Sequence, residues 1–247
     1  MHITNGSSGK EAWSLRRGFE DITIMPDTKE YRLKQLGSYR KENCYPGFKN
    51  LCDFHNGRYE SDFVSPYSKG SGNFDSKIFI LLQDWVSEDG IKKGLGEDAI
   101  TFGYSPGLRT NVNLQELLNE TFQLKISEVF ATNLFPFIKV GAMNAPIGAS
   151  WLRKAFDEFA MPQINIIKPE VVVCCGKGVY RTVLKCLLNI SPPNVNFTDH
   201  ICHNKILFVC QNHPGSRGTV SVGGQVGAKR NWQIMKALME WNVCDKQ

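Results

Sequence analysis

The sequence predicts an α/β protein: a three-layer α/β/α sandwich around a short four-stranded parallel sheet. Three observations carry this. Four apolar runs without helical spacing, at 78–82, 128–133, 171–175 and 205–210, read as strands buried on both faces, the pattern of a parallel sheet. Between and after them lie stretches with apolar residues at helical spacing, so strand and helix alternate along the chain. Each run ends on a polar or glycine position: Asp84, Asn133, Gly176-Lys177 and His213. Open α/β sheets bind ligands outside the carboxyl ends of their strands.

Taken in order, residues 1–76 are irregular and polar, punctuated by Pro26, Pro46 and Pro66, with short helices expected over 13–19 and 31–39. They are expected to form an N-terminal extension packed on a core domain, residues 77–247. Residues 65–73 read as a loop or linker into the first strand. That strand, 78–82, is followed at once by Gln83 and Asp84, with no cationic neighbour in sequence. A polar, glycine-rich loop covers 87–98, and Phe102 then stands between turn formers. Asn113 with Glu116 three residues on reads as a capping box opening a helix striped by Leu114, Leu117, Leu118 and Phe122.

The second strand ends on Asn133. A helix over 148–159 turns Trp151, Leu152, Ala155, Phe156 and Phe159 to one side. After the third strand, 176–178 turns the chain into a helix striped by Val179, Val183, Leu184, Leu187 and Leu188. The fourth strand leads to 211–218 and a glycine-rich loop. A final helix carries Trp232, Met235, Leu238 and Met239 inward, with Trp241 near the edge of that face.

Composition bounds the function. A chain of 247 residues, 42% apolar, can build one large domain or two small ones. It has no 18-residue apolar run to span a membrane, and residues 1–13 lack the apolar core of a signal peptide. The expected location is therefore cytoplasmic (nucleoid) or nuclear rather than secreted. Eight cysteines without a CxxC pair, several inside apolar runs, read as reduced core thiols; a metal cluster involving Cys44 and Cys52 is the alternative. Net charge is +5, and the stretch from Lys168 onward holds ten Lys/Arg against four Asp/Glu. A positive field on one part of the chain suits a polyanion.

An acid, an amide, an aromatic and a histidine at strand ends suit cleavage of a nucleobase N-glycosidic bond. That reaction builds positive charge on the sugar and negative charge on the departing base. Asp84 can stabilise the sugar and place the attacking water, and His213 can hydrogen-bond the base oxygen that gains charge. Asn133 can read a pyrimidine edge, and Phe102 can stack on an extruded base. Each also has a plainer reading: Asp84 and Asn133 as caps, Phe102 and His213 as core residues.

These residues, in this order, resemble the uracil-DNA glycosylase superfamily over about residues 77–240. The family's strand followed by Gly-Gln-Asp-Pro-Tyr-His is similar to 82–87, its Ala-Phe-Ser segment to 101–103, and its strand ending on Asn to 130–133. Its phosphate loop resembles 175–177, its His-Pro-Ser-Pro-Leu loop resembles 213–217, and its closing Ser-x-x-Asn helix resembles 228–231 loosely. The resemblance implies a monofunctional DNA glycosylase acting on DNA as a monomer, with no membrane, metal or organic cofactor. It implies Asp84 and His213 as catalytic residues, and Gln83, Trp85, Val86, Phe102 and Asn133 around the base. It implies Lys177, Ser216, Arg217, Lys229 and Arg230 on the DNA.

The departures bear on substrate. Where the family has a Tyr against C5 of uracil, this chain has Val86, after Trp85 in place of Pro, so a C5-substituted pyrimidine joins uracil as a candidate. Arg217 stands at the wedge position. Apart from Lys177, no lysine is expected at the strand ends to form a Schiff base, so no lyase step is expected. Two other readings stay open: a catalytically inactive DNA-binding sensor of the same fold, and a hydrolase of free nucleosides.

Overall fold

In the computed structural model, which describes residues 27–245, the sheet is built from β1 (Ile78–Asp84), β2 (Phe130–Phe135), β3 (Val171–Cys175), β4 (His200–His203) and β5 (Ile206–Gln211). The strand order is β2-β1-β3-β5-β4. Four strands run parallel, as the apolar runs predict, and β4 adds antiparallel to β5 at one edge. The sheet thus has five strands rather than the expected four. The extra strand was illegible because its four residues are all half-buried and include two histidines, so no apolar run marks it.

The helices are α1 (Lys29–Glu42), α2 (Glu88–Lys92), α3 (Glu97–Thr101), α4 (Arg109–Phe122), α5 (Ala149–Ala155), α6 (Met161–Ile167), α7 (Lys177–Leu188), α8 (Ser216–Val220) and α9 (Gly224–Glu240). Side chains alternate across the sheet. Phe79 and Leu81 of β1 enter a core with Leu33, Phe156, Phe159, Ile164 and Val183 from α1 and from α5 to α7. Ile78, Ile80 and Leu82 enter the opposite core with Leu114, Leu117, Trp232 and Met235 of α4 and α9. Two cores on two faces of one sheet make the three layers.

Several local expectations are corrected. The helix expected to open at Asn113 begins at Arg109, and Asn113 is buried inside it. Its amide is used in contacts with a distant loop rather than in a cap. The helix expected over 148–159 continues through a π turn, Phe156–Ala160, into α6. Pro162 follows directly on the π turn, whose Met161 N–H reaches back to Phe156 O, so the wider turn is where the helix takes in a residue without an N–H. Residues 65–73 are no linker. They hold a 3-10 turn, Pro66–Lys69, with Ser65, Tyr67, Ser68 and Ser71 buried. Their polar groups satisfy the β2 edge: Ser68 Oγ donates to Ala131 O at 2.9 Å, and Ala131 N–H donates to Ser71 O at 3.1 Å.

Residues 27–76 therefore share the main core through Leu33, Tyr45 and Val64. The helix expected over 13–19 lies outside the described residues. The expectation of eight free thiols is also corrected: Cys202 and Cys244 form a disulfide that ties β4 to the last described turn. Their 42-residue separation gave no spacing signal. No described helix is long and apolar enough to cross a membrane.

Candidate active site at the strand ends

The carboxyl ends of β1 and β2 lie side by side, with Leu82 paired to Asn133 and Asp84 to Phe135. Beyond them the two chains keep running together, Ser87 alongside Lys139. That continuation brings a cation to Asp84 that no local sequence pattern marks. Lys139 Nζ lies 2.8 Å from Asp84 Oδ2, and both side chains are buried, at 4% and 9% exposure. Gln83 Nε2–H donates to the other oxygen, Oδ1, at 3.0 Å. Both carboxylate oxygens are held, which fixes the plane of the group.

Asp84 opens onto a cavity of about 260 Å³. Part of the lining is apolar: Trp85, Val86, Leu95 and Ala99. The lining also has an aromatic and polar part: Tyr67, Tyr104, Ser105, Thr110 and Asn111. Leu82 and Asn133 line the strand end, and Met143 and His213 also line the cavity. Tyr67 and Tyr104 stack with centroids 4.9 Å apart. Tyr67 O–H donates to Asn111 Oδ1, and Asn111 Nδ2–H donates to Ser105 O at 2.8 Å, so this part is braced internally. Burial raises the phenols of Tyr67 and Tyr104 above their ordinary range, keeping both neutral.

Two glycines let the walls close. Gly103 has φ +75°, and a Cβ there would stand 1.7 Å from Pro66 O. Its carbonyl accepts from Trp85 Nε1–H at 2.7 Å, anchoring the indole at the cavity wall. Gly218 has His213 O 2.2 Å from where its Cβ would be, so α8 folds back tightly on the histidine loop.

His213 follows β5. Gly215 N–H donates to its Nδ1 at 2.9 Å, so the neutral ring carries its proton on Nε2. Burial lowers its pKa, with the Asp84 charge opposing, and the net shift is downward. The loop is pinned from across the molecule: Asn113 Nδ2–H donates to Pro214 O at 2.6 Å. His213 and Met143 also line a second, more open recess with Ala142, Asn144 and residues 215–218.

Of the expected residues, Asp84, Trp85, Val86, Asn133 and His213 share the first cavity, and Ser216 and Arg217 line the second. Others lie elsewhere. Phe102 caps the end of α3, is 40% exposed, and lies outside the cavity lining; the turn at Gly103 brings Tyr104 to the wall instead. Gln83 does not line the cavity and holds Asp84. Lys229 is engaged by Glu120 at 2.7 Å, so its charge is offset. Lys177 opens α7 with Nζ 4.8 Å over the Phe197 ring, and Arg230 lines a separate groove with Phe197.

The expectation that Lys177 is the one lysine at the strand ends is overturned by Lys139. Tyr67, Tyr104, Asn111 and Lys139 were missed. Asn133 Oδ1 accepts from Ser65 Oγ–H at 2.6 Å, a contact hidden in the supposed linker. Cys44 and Cys52 belong to no group of three or more metal-ligating side chains among the described residues. Comparison with known families finds no matching family model, and comparison with curated proteins finds no match.

Proposed function

We propose that the protein is a monofunctional DNA glycosylase that extrudes a pyrimidine, uracil or a C5-substituted one, and hydrolyses its N-glycosidic bond. One observation carries the reading. An acid, an amide and a neutral imidazole reach one cavity of about 260 Å³ from separate strand ends. Cleavage needs these groups at opposite ends of the bond.

Asp84 accepts a proton-side contact from the attacking water and faces the sugar as positive charge develops. His213, with its proton on Nε2, donates to the base oxygen that becomes negative. Asn133 reads the edge of the base. The Tyr67–Tyr104 wall supplies the apolar face for stacking. Val86 lines the cavity, and its side chain is smaller than a ring, which supports a C5-substituted base. The adjoining open recess, with Arg217 at its rim, favours a polymer over a free nucleoside.

The test is base release from oligonucleotides carrying uracil, thymine mispairs and C5-substituted pyrimidines. Asp84→Asn is expected to lower the rate by roughly 10²- to 10⁴-fold with DNA affinity retained. Turnover within a few-fold of wild type rejects Asp84. The inactive-sensor reading draws on the Lys139 ion pair, which offsets the Asp84 charge. Tight DNA binding without release from any substrate favours it.

A further inference from the structure

We infer that Lys139 is a positioning residue for Asp84, and that it ties the carboxylate to the turn at 140–146 beside the cavity. The kinetic arm of the test rests on the glycosylase reading; the spectroscopic arms do not.

The ammonium stands behind the carboxylate. Asp84 lines the cavity and Lys139 does not, although their charged atoms are 2.8 Å apart. Lys139 therefore acts through Asp84 rather than on a substrate. Its backbone is fixed from two sides. Ile138 N–H donates to Lys49 O at 2.9 Å, and Glu88 N–H donates to Lys139 O at 2.9 Å. The other nearby lysines, Lys49 and Lys92, are taken by Glu88 at 2.7 and 2.9 Å, which leaves Lys139 as the cation paired with Asp84 among the described residues. The other titratable groups that line the cavity with Asp84 are His213, which feels the Asp84 charge, and the neutral phenols of Tyr67 and Tyr104.

A carboxylate taken out of water is costly without a partner, and the apolar wall of the cavity offers none. Lys139 sets a counter-charge against one oxygen of Asp84 at the cavity edge, and Gln83 fixes the second oxygen. Each oxygen retains a lone pair for a water. The same ammonium donates to Met143 O. Met143 is 56% exposed and lines both recesses. A substrate entering beside it presses on a turn whose backbone shares a donor with Asp84. The ammonium thus joins substrate entry to carboxylate position.

The test compares Lys139→Met, Lys139→Arg and the neutral pair Asp84→Asn/Lys139→Met, all below their melting temperatures. Lys139→Met is expected to lower kcat by about 10- to 100-fold, the usual cost of losing an orienting partner, with KM and DNA affinity within about two-fold. Lys139→Arg restores most of the loss. In the Asp84→Asn background Lys139→Met adds little, because the two act as one unit. Independently of turnover, Lys139→Met shifts the Asp84 carboxyl carbon resonance and speeds amide exchange at 140–146, and Lys139→Arg does neither.

An unmoved resonance with unchanged exchange overturns the inference. So does a Lys139→Met loss that stays additive on Asp84→Asn. Should Lys139→Met alone fail to fold, Lys139→Gln takes its place in the same cycle, alone and on Asp84→Asn. A wild type that releases no base sinks the glycosylase reading, while resonance and exchange still decide the role of Lys139.

Discussion

His213 has a definite protonation state. Its Nδ1 is occupied as an acceptor, so protonation would break the bond from Gly215 N–H and disturb the loop. Burial holds its pKa below the ordinary 6.5, with Asp84 opposing. The unfolded chain therefore takes up the proton first as pH falls. Stability drops between the unfolded value and the lowered folded value, and levels off below that. Nitrogen-15 NMR is expected to find the Nε2–H tautomer and a midpoint under 6.5; a midpoint at or above the free value overturns this assignment. Lys139 is the opposite case at the same scale. Lys139 stands between Ile138 and Val140 in an apolar stretch, but its partner on β1 is far away in sequence. Only the parallel pairing beyond β1 and β2 brings them together.

Among the elements, the four strands buried on both faces were legible, because burial on both sides leaves an unbroken apolar run. The segment 65–73 was not. Ser, Pro, Gly and Asn are turn residues by local chemistry, and here their backbone needs are met by the edge of β2. Tyr67 and Ser65 were lost from the site with it. The aromatic wall was misplaced by two positions for a related reason: Gly103, with its positive φ, turns Phe102 out and Tyr104 in. Gly103→Ala tests that joint. It requires a left-handed alanine, and its Cβ meets the Pro66 carbonyl. A loss of about 2–4 kcal/mol is expected in urea denaturation, as for other strained backbone sites. A change under about 1 kcal/mol would mean that the 65–71 and 101–105 segments separate easily.

Across the whole molecule, the excess of positive charge in the C-terminal third was plain in sequence, but which cations are free was not. Lys229 is paired with Glu120, and Lys236 with Glu240. Lys177, Arg217 and Arg230 have no ion pair among the described residues. On the proposed function, Arg217→Ala is expected to reduce the salt slope of DNA binding by about one unit, and Lys229→Ala by clearly less. Equal slopes for both variants would remove Arg217 from the DNA path. The fold class was readable because strand and helix alternate along the chain; the edge strand and the disulfide depend on contacts that local patterns do not encode.

The bond from Asn113 to Pro214 joins residues 101 positions apart. On the ribosome, a chain that has released Asp84 and Asn133 still lacks the histidine loop and most of the basic third. On the proposed function, its half-built pocket has neither the donor for the leaving base nor most of the basic third. On the same reading, the order of synthesis leaves an unfinished chain without the histidine loop. Limited proteolysis of stalled chains is expected to cut near residues 104–112 until the segment beyond Pro214 has emerged. Protection of that region in shorter chains would show that α4 settles without its late partner.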